Sequence, residues 1–288
     1  MSFLKFSIAN NAVTHLGRNL YSTTPPALAE LVANSYDAYA TEVNINLSNE
    51  AISIIDNGKG LNLQEFESKY AKIGSTKQEE MPFKTIPKRK PMGKKGIGKL
   101  AAFSLGSSYT VYSKTLETEG WLTFTLKYQD MIGNDSYSVE VKETELPDKF
   151  SKYKSYESGF IVDITGIRRK VTSATKENIK IQLSRRFYIN QAKSLFSLNI
   201  DDKELQLDSN LYYDRLQYMV YFGYDNPEEL KEKFQNVTMV EYQQSEQIKQ
   251  YFLSERIKGW IGTTFKPKDL KNDEGASFAN VIVLANAK

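Results

Sequence analysis

Residues 74 to 99, GSTKQEEMPFKTIPKRKPMGKKGIGK, limit the folds open to this chain more than any other stretch. They hold three of its eight prolines and four of its sixteen glycines, and no apolar periodicity begins before Ile97. Proline lacks a backbone donor and glycine has no side chain to pack, so the stretch reads as a long, mobile loop. Loops of this length inside a domain are usually lids or binding loops, and the regular elements on either side must build one fold around it. Before the loop, Pro26 to Tyr39 reads as a helix entered through Pro25 and Pro26, with Thr24 near its N-cap. Val43 to Leu47 and Ala51 to Ile55 then read as strands joined by Ser48-Asn49-Glu50. After the loop come a helix over Ile97 to Leu105 and strands over Tyr109 to Ser113, Trp121 to Tyr128, Tyr137 to Val141 and Gly159 to Thr165. The expected fold class is α+β, a mixed and mostly antiparallel sheet with helices on one face.

The pattern changes near residues 168 to 172, where we place a domain boundary between 1–168 and 169–288. The second part shows a helix over Lys176 to Tyr188, a strand over Leu195 to Ile200 and a helical patch over Asn226 to Gln235. Further strands cover Ile257 to Thr264 and Asn280 to Ala285. The final NVIVLANAK is apolar almost to its last residue, so the expectation is an N-terminal part of a longer protein with its second domain cut short. Hydrophobic content of 40%, charged content of 25% and a mean hydropathy of -0.49 exclude wholesale disorder and fibrous classes. No apolar run reaches the roughly 18 residues of a membrane span and no signal peptide opens the chain, so the expected location is cytoplasmic, without a membrane partner. Zero cysteines and a single histidine, His15, exclude disulfides, thiolate metal sites and multi-histidine centres. A net charge of +3 is too small by itself to argue for nucleic acid.

Within the first helix, Glu30, Asn34 and Asp37 fall inside roughly a 60° arc at helical spacing, so three polar side chains share one face. Small residues flank them, Ala27, Ala33 and Ala38, whereas a merely solvated face prefers longer charged side chains. Asp56-Asn57-Gly58-Lys59-Gly60 directly follows the apolar ISII, and its glycines allow backbone angles and close approaches that other residues resist. Gly93-Lys94-Lys95-Gly96-Ile97-Gly98-Lys99 closes the long loop and opens a helix, where unpaired backbone N–H groups suit a phosphate. The same residues nearly spell a P-loop, but Leu100 stands where a hydroxyl must hold magnesium, and that reading is rejected.

Taken in order, E-x3-N-x2-D-A, D-x-G-x-G and G-x2-G-x-G resemble the GHKL (Bergerat-fold) ATPase superfamily, which includes gyrase B subunits, MutL and MORC proteins, heat-shock chaperones and sensor kinases. Gly74-Ser75-Thr76-Lys77 is similar to the start of the lid in the MORC and MutL branch. Gly159 to Ile164 is similar to its GTxI strand, with Phe160 in the threonine position. The resemblance implies a Bergerat ATP-binding sandwich with its lid over about 74–99, followed by a transducer-like α/β domain. It implies ATP and Mg²⁺ as cofactors, Glu30 as the general base and Asn34 as the metal ligand. Asp37 orients that group, Asp56 accepts from the adenine amino group, and Gly58 and Gly60 admit the base. Ser75, Thr76, Lys77, Gly93, Gly96, Ile97, Gly98, Lys99 and Thr165 complete the implied nucleotide contacts. Lid closure on ATP would drive homodimerisation of the full-length protein, as a clamp acting on DNA in genome maintenance or defence against foreign DNA. A chaperone-type ATPase and an ATP-sensing switch for a C-terminal effector are the alternatives. The family's transducer lysine is expected beyond Lys288, with Lys266, Lys268 and Lys271 as the nearest substitutes inside the chain.

Overall fold

The computed structural model describes residues 2–7, 21–72, 82–89, 91–93, 98–132, 136–194, 196–205, 216–234, 236–255 and 257–270. The chain divides into two compact units, residues 1–207 and 208–288. In the first, β1 (Ser2–Ser7) precedes α1 (Thr24–Asp37), β2 (Glu42–Leu47) and β3 (Ala51–Asp56). A short α2 (Leu63–Glu65) runs into a π-helical turn at Phe66–Tyr70, and a 3₁₀ turn at Gly98–Leu100 leads into α3 (Ala101–Leu105). Then follow β4 (Gly106–Lys114), β5 (Trp121–Lys127), α4 (Tyr128–Met131), β6 (Ser136–Thr144) and β7 (Gly159–Ile167). The unit closes with α5 (Ser173–Ser194), β8 (Ser197–Ile200) and β9 (Lys203–Glu204).

Among the described residues these strands form one sheet in the order β1-β6-β5-β4-β7-β3-β2-β8-β9. Every pairing is antiparallel except β2 with β8. The α+β class expected from the sequence is the one observed. Strand periodicity explains the layering. Ile52 and Ile54 of β3 join the main core with Ala27, Leu28, Leu31 and Val32 of α1, Phe103 of α3, and Ile179, Leu183 and Phe187 of α5. Ile55 points the other way, into a smaller core with Trp121, Leu146, Phe150, Tyr153 and Ile161. Burial on both faces is why β3 reads as the continuous apolar run ISII.

The first compact unit extends beyond the boundary expected at 168–172. The reason is packing: α5 lies along α1, and β8 hydrogen-bonds to β2, adding to the sheet started at residue 2. The second unit contains β10 (Tyr218–Phe222), α6 (Glu228–Lys233), β11 (Thr238–Glu241), α7 (Glu246–Ser254) and β12 (Gly259–Thr263). Its strand order is β11-β10-β12, with β10 and β11 parallel through the α6 crossover, over a core of Leu216, Met219, Leu230 and Phe234. The strand expected over Asn280 to Ala285 lies outside the described residues. Among the described residues no helix is long and apolar enough to cross a membrane.

The turn after β3 is where glycine is required. Gly60 has φ +65°, and a Cβ there would lie 2.1 Å from the Lys114 carbonyl oxygen, a backbone atom that cannot swing away. Gly60→Ala therefore combines a left-handed backbone angle with a main-chain clash. We expect it to lower the unfolding free energy by at least about 2 kcal/mol in urea titration. A midpoint equal to the parent's would show that the turn relaxes freely.

Candidate functional site

Helix α1 starts with prolines in its first turn, where their missing N–H groups cost nothing, and ends by turning through Tyr39 at φ 61°. It is buried on nearly all sides. Of its fourteen residues only Pro26, Glu30 and Asn34 keep partial exposure, a stripe at spacing four. Glu30 and Asn34 thus face a narrow opening rather than a solvated helix surface. The backbone of Gly98 closes that opening: a Cβ placed on it would lie 3.4 Å from both Glu30 Oε2 and Asn34 Nδ2. Two residues one turn apart on α1 meet a third, Gly98, that is more than sixty residues away in the chain, and all three were singled out from sequence.

Asp56 ends β3 on the same sheet face as Ile52 and Ile54, so the strand's alternation aims it beneath α1. Its carboxylate is buried. Oδ2 accepts from the Ser35 hydroxyl at 2.6 Å and Oδ1 from the Gly58 N–H at 2.9 Å. Burial pushes its pKa up from 3.8 to about 6, against the opposing pull of Ser35 and of the Gly58 and Phe160 backbones. Each carboxylate oxygen has two lone pairs, so the group retains capacity to accept from a ligand N–H. Ser35 was not singled out from sequence, and its partner Asp56 lies 21 residues away.

Gly58 and Gly60 serve the chain's own close approaches. A Cβ on Gly58 would lie 2.8 Å from the Ala38 carbonyl oxygen, and Lys59 N–H donates to that same oxygen at 3.0 Å. Asp37, on the α1 turn nearest the loop, accepts from the N–H groups of Met92 at 2.7 Å and Gly93 at 3.0 Å. It orients the loop, and Gly93 is placed by it. Arg89 anchors the same segment. Its guanidinium is buried, donates to the carbonyls of Tyr36 at 3.0 Å and Ala40 at 2.6 Å, and stacks over the Tyr36 ring. Through Arg89, Met92 and Gly93 the described part of this loop is docked against the end of α1, with Ile86 also buried, where the sequence suggested a long, mobile loop.

Two expected contacts are placed elsewhere. Lys99 does not converge on Glu30 and Asn34: its ammonium donates to the carbonyls of Lys69, Tyr70 and Lys72 at 3.1, 2.6 and 2.8 Å. Those carbonyls end the π-helical turn, where a cation with three donors is favoured. Thr165 is exposed and pairs with Ala51, at the opposite end of the β3–β7 ladder from the Asp56–Phe160 pair. Strand rise puts roughly 17 Å between the two ends, so Thr165 does not stand beside Asp56. Phe160 packs its ring on Phe66 and Tyr70. Ser75, Thr76, Lys77, Gly96 and Ile97 lie outside the described residues.

One site residue has no counterpart in the sequence reading. Arg186, on α5, donates from Nη2 to Glu30 Oε1 at 2.6 Å. Tyr21 stands close to both: burial first, then the Glu30 carboxylate, pushes its phenol up to about 12, while Arg186 acts in the opposite direction. Among the described residues there is no cluster of three or more acidic, histidine or cysteine side chains able to hold a metal by themselves. A cation here would need a ligand's own oxygens beside Asn34.

Residues 21–159 match the family described as "Histidine kinase-, DNA gyrase B-, and HSP90-like ATPase". The matched segment contains α1, β3, the loop and α3. Over 278 residues the chain is 30% identical to the "Putative type II restriction enzyme HgiDII" of Herpetosiphon aurantiacus. The alignment takes in 94% of this chain and 43% of the relative, so the chain spans less than half of that protein's length.

The raised pKa of Asp56 has a signed consequence for stability. Its folded value, about 6, exceeds the ordinary 3.8, so its contribution to stability is fully present below pH 3.8 and is lost as pH rises through 6. The loss is on the order of 3 kcal/mol. Asp56→Asn removes the titrating group, so the variant should gain on the parent by about that much between pH 4 and pH 7.5. Urea titrations of both proteins across that range measure the gain. A stability difference that stays constant with pH would mean that Asp56 ionises without a burial cost.

Proposed function

We propose, starting from the GHKL-type ATPase domain that residues 21–159 form, that this chain binds Mg-ATP and hydrolyses it. The observation that carries the reading is the meeting of Glu30, Asn34 and the Gly98 backbone at the one open stripe of a buried helix, with Asp56 buried beneath the same helix. Asp56 accepts a hydrogen bond from the adenine amino group. Guanine presents a carbonyl oxygen at that position, and two acceptors facing each other repel. Gly98, without a side chain, lets the phosphates approach its backbone beside Asn34. Asn34 supplies a side-chain oxygen to Mg²⁺, which screens phosphate charge when bound. Glu30 positions the attacking water and takes its proton, a role that needs a carboxylate beside the terminal phosphate rather than in contact with the base.

Asp37 and Arg89 fix the described part of the lid segment, at Arg89, Met92 and Gly93, to the end of α1. Lid closure drives dimerisation in the whole protein. The HgiDII relative is named as a restriction enzyme, and on that ground the ATPase is assigned to a DNA-acting protein, in defence against foreign DNA or genome maintenance. The second unit fills the transducer-like role that links nucleotide state to the remainder of such a protein.

Glu30→Gln tests the assignment of the base. It keeps the size of the side chain and removes the proton acceptor, so turnover should fall at least about a hundredfold. ATP affinity by calorimetric titration should stay within about twofold of the parent, because the base acts on water. Loss of ATP binding together with turnover would make Glu30 a structural residue.

A further inference from the structure

We infer that Arg186 senses the terminal phosphate of ATP: it holds Glu30 while that phosphate is absent and moves from the carboxylate to the phosphate when ATP binds. The inference deepens the ATPase reading above and rests on it. Arg186 lies outside residues 21–159, so the segment that matches the ATPase family does not supply it. It is brought in by α5, which the sheet extension through β8 fixes against α1.

The geometry divides the Glu30 carboxylate between two neighbours. Oε1 accepts from Arg186 Nη2 at 2.6 Å, while Oε2 faces the Gly98 backbone and Asn34. The hydrogen bond from Arg186 occupies Oε1, so that oxygen is not available to a water while the pair is formed. A triphosphate seated at Gly98 and Asn34 would also bring its terminal phosphate against the Glu30 carboxylate, and like charges at that range repel strongly. The guanidinium beside Glu30 is the group that resolves both problems.

It has the reach and chemistry to do so. The Arg186 side chain is 42% exposed, and its fork of five N–H groups suits two phosphate oxygens at once. A terminal phosphate carries more charge than one carboxylate, so it competes for the guanidinium and releases Glu30 when it wins. The same contact places a cation on the group whose charge builds during transfer. In the sequence reading that cation was missing from the chain, with lysines near residue 268 as substitutes. Lys266 and Lys268 are exposed residues of the second unit, and Lys271 lies outside the described residues. Arg186 occupies the position inside the first unit.

The test compares ATP with ADP, which lacks the sensed group. In calorimetric titrations of the 288-residue chain, Arg186→Ala should weaken ATP binding at least about tenfold while ADP affinity changes less than about twofold. Turnover should fall in the same variant. Arg186→Lys, which keeps the charge but loses the fork, should recover part of the ATP preference. A partly exposed side chain can be removed without unfolding the protein, and thermal melting of each variant checks this. An unchanged ATP-to-ADP affinity ratio in Arg186→Ala would leave the ion pair structural and overturn the inference. Faster turnover in that variant would make Arg186 an inhibitory clamp that never reaches the phosphate, which also overturns it. Failure of the parent chain to bind ATP would instead overturn the ATPase reading, and this inference with it.

Discussion

The Ser35–Asp56 hydrogen bond ties the one helix that carries the site to the sheet beneath it. Everything else in the site is positioned relative to that junction. Asp56 is placed by strand parity, Glu30 and Asn34 by helical spacing from Ser35, and Gly98 by packing of its turn against α1. The junction is costly, because it keeps an ionisable group in surroundings that raise its pKa to about 6. Hydrogen bonds from Ser35 and the Gly58 N–H offset part of that cost without removing it. An acceptor that is buried and still ionised at neutral pH is what recognition of an amino group demands, so the destabilisation and the binding capacity share one cause.

Around this junction, polar anchors hold the connecting segments to the end of α1. Asp37 accepts from two successive backbone N–H groups of the loop, and Arg89 donates to the carbonyls of Tyr36 and Ala40 at the end of the helix. Lys99 does the same for the carbonyls ending the π-helical turn. In each case the irregular backbone is satisfied by a side chain from a segment far away in sequence. That is how a proline- and glycine-rich stretch with little capacity for regular structure becomes part of a fold.

Legibility in the sequence followed the range of the interaction. Helix α1 and strands β2 to β7 were readable because apolar periodicity is local, and the shared face of Glu30 and Asn34 and the strand-end position of Asp56 were readable from spacing on one helix or one strand, while their roles are implied by the family resemblance. Ser35, Arg89 and Arg186 were not, since each acquires its role from a partner between 21 and 156 residues away. The extension of the first compact unit past residue 170 was hidden for a related reason. Composition does change there, but β8 pairs with β2 across some 150 residues, and no local signal reports a parallel pairing at that separation. Lys99 shows the opposite hazard: a lysine in a glycine-rich motif suggests a phosphate contact, but the carbonyls of Lys69, Tyr70 and Lys72 take its ammonium.

Charge counting along the lid has the same weakness. Seven Lys or Arg and no acidic residue between 81 and 99 suggest a uniformly cationic surface. Yet Lys84 pairs with Glu157, Arg89 is buried against α1, and Lys99 is committed to carbonyls. What a ligand meets is the field that remains after such partnerships, and a cation absent from the count, Arg186, donates to the Glu30 carboxylate. The electrostatics of this site therefore depend on which cations the fold leaves available near α1, and the fold, through α5, brings one from outside both the lid and the segment that matches the ATPase family.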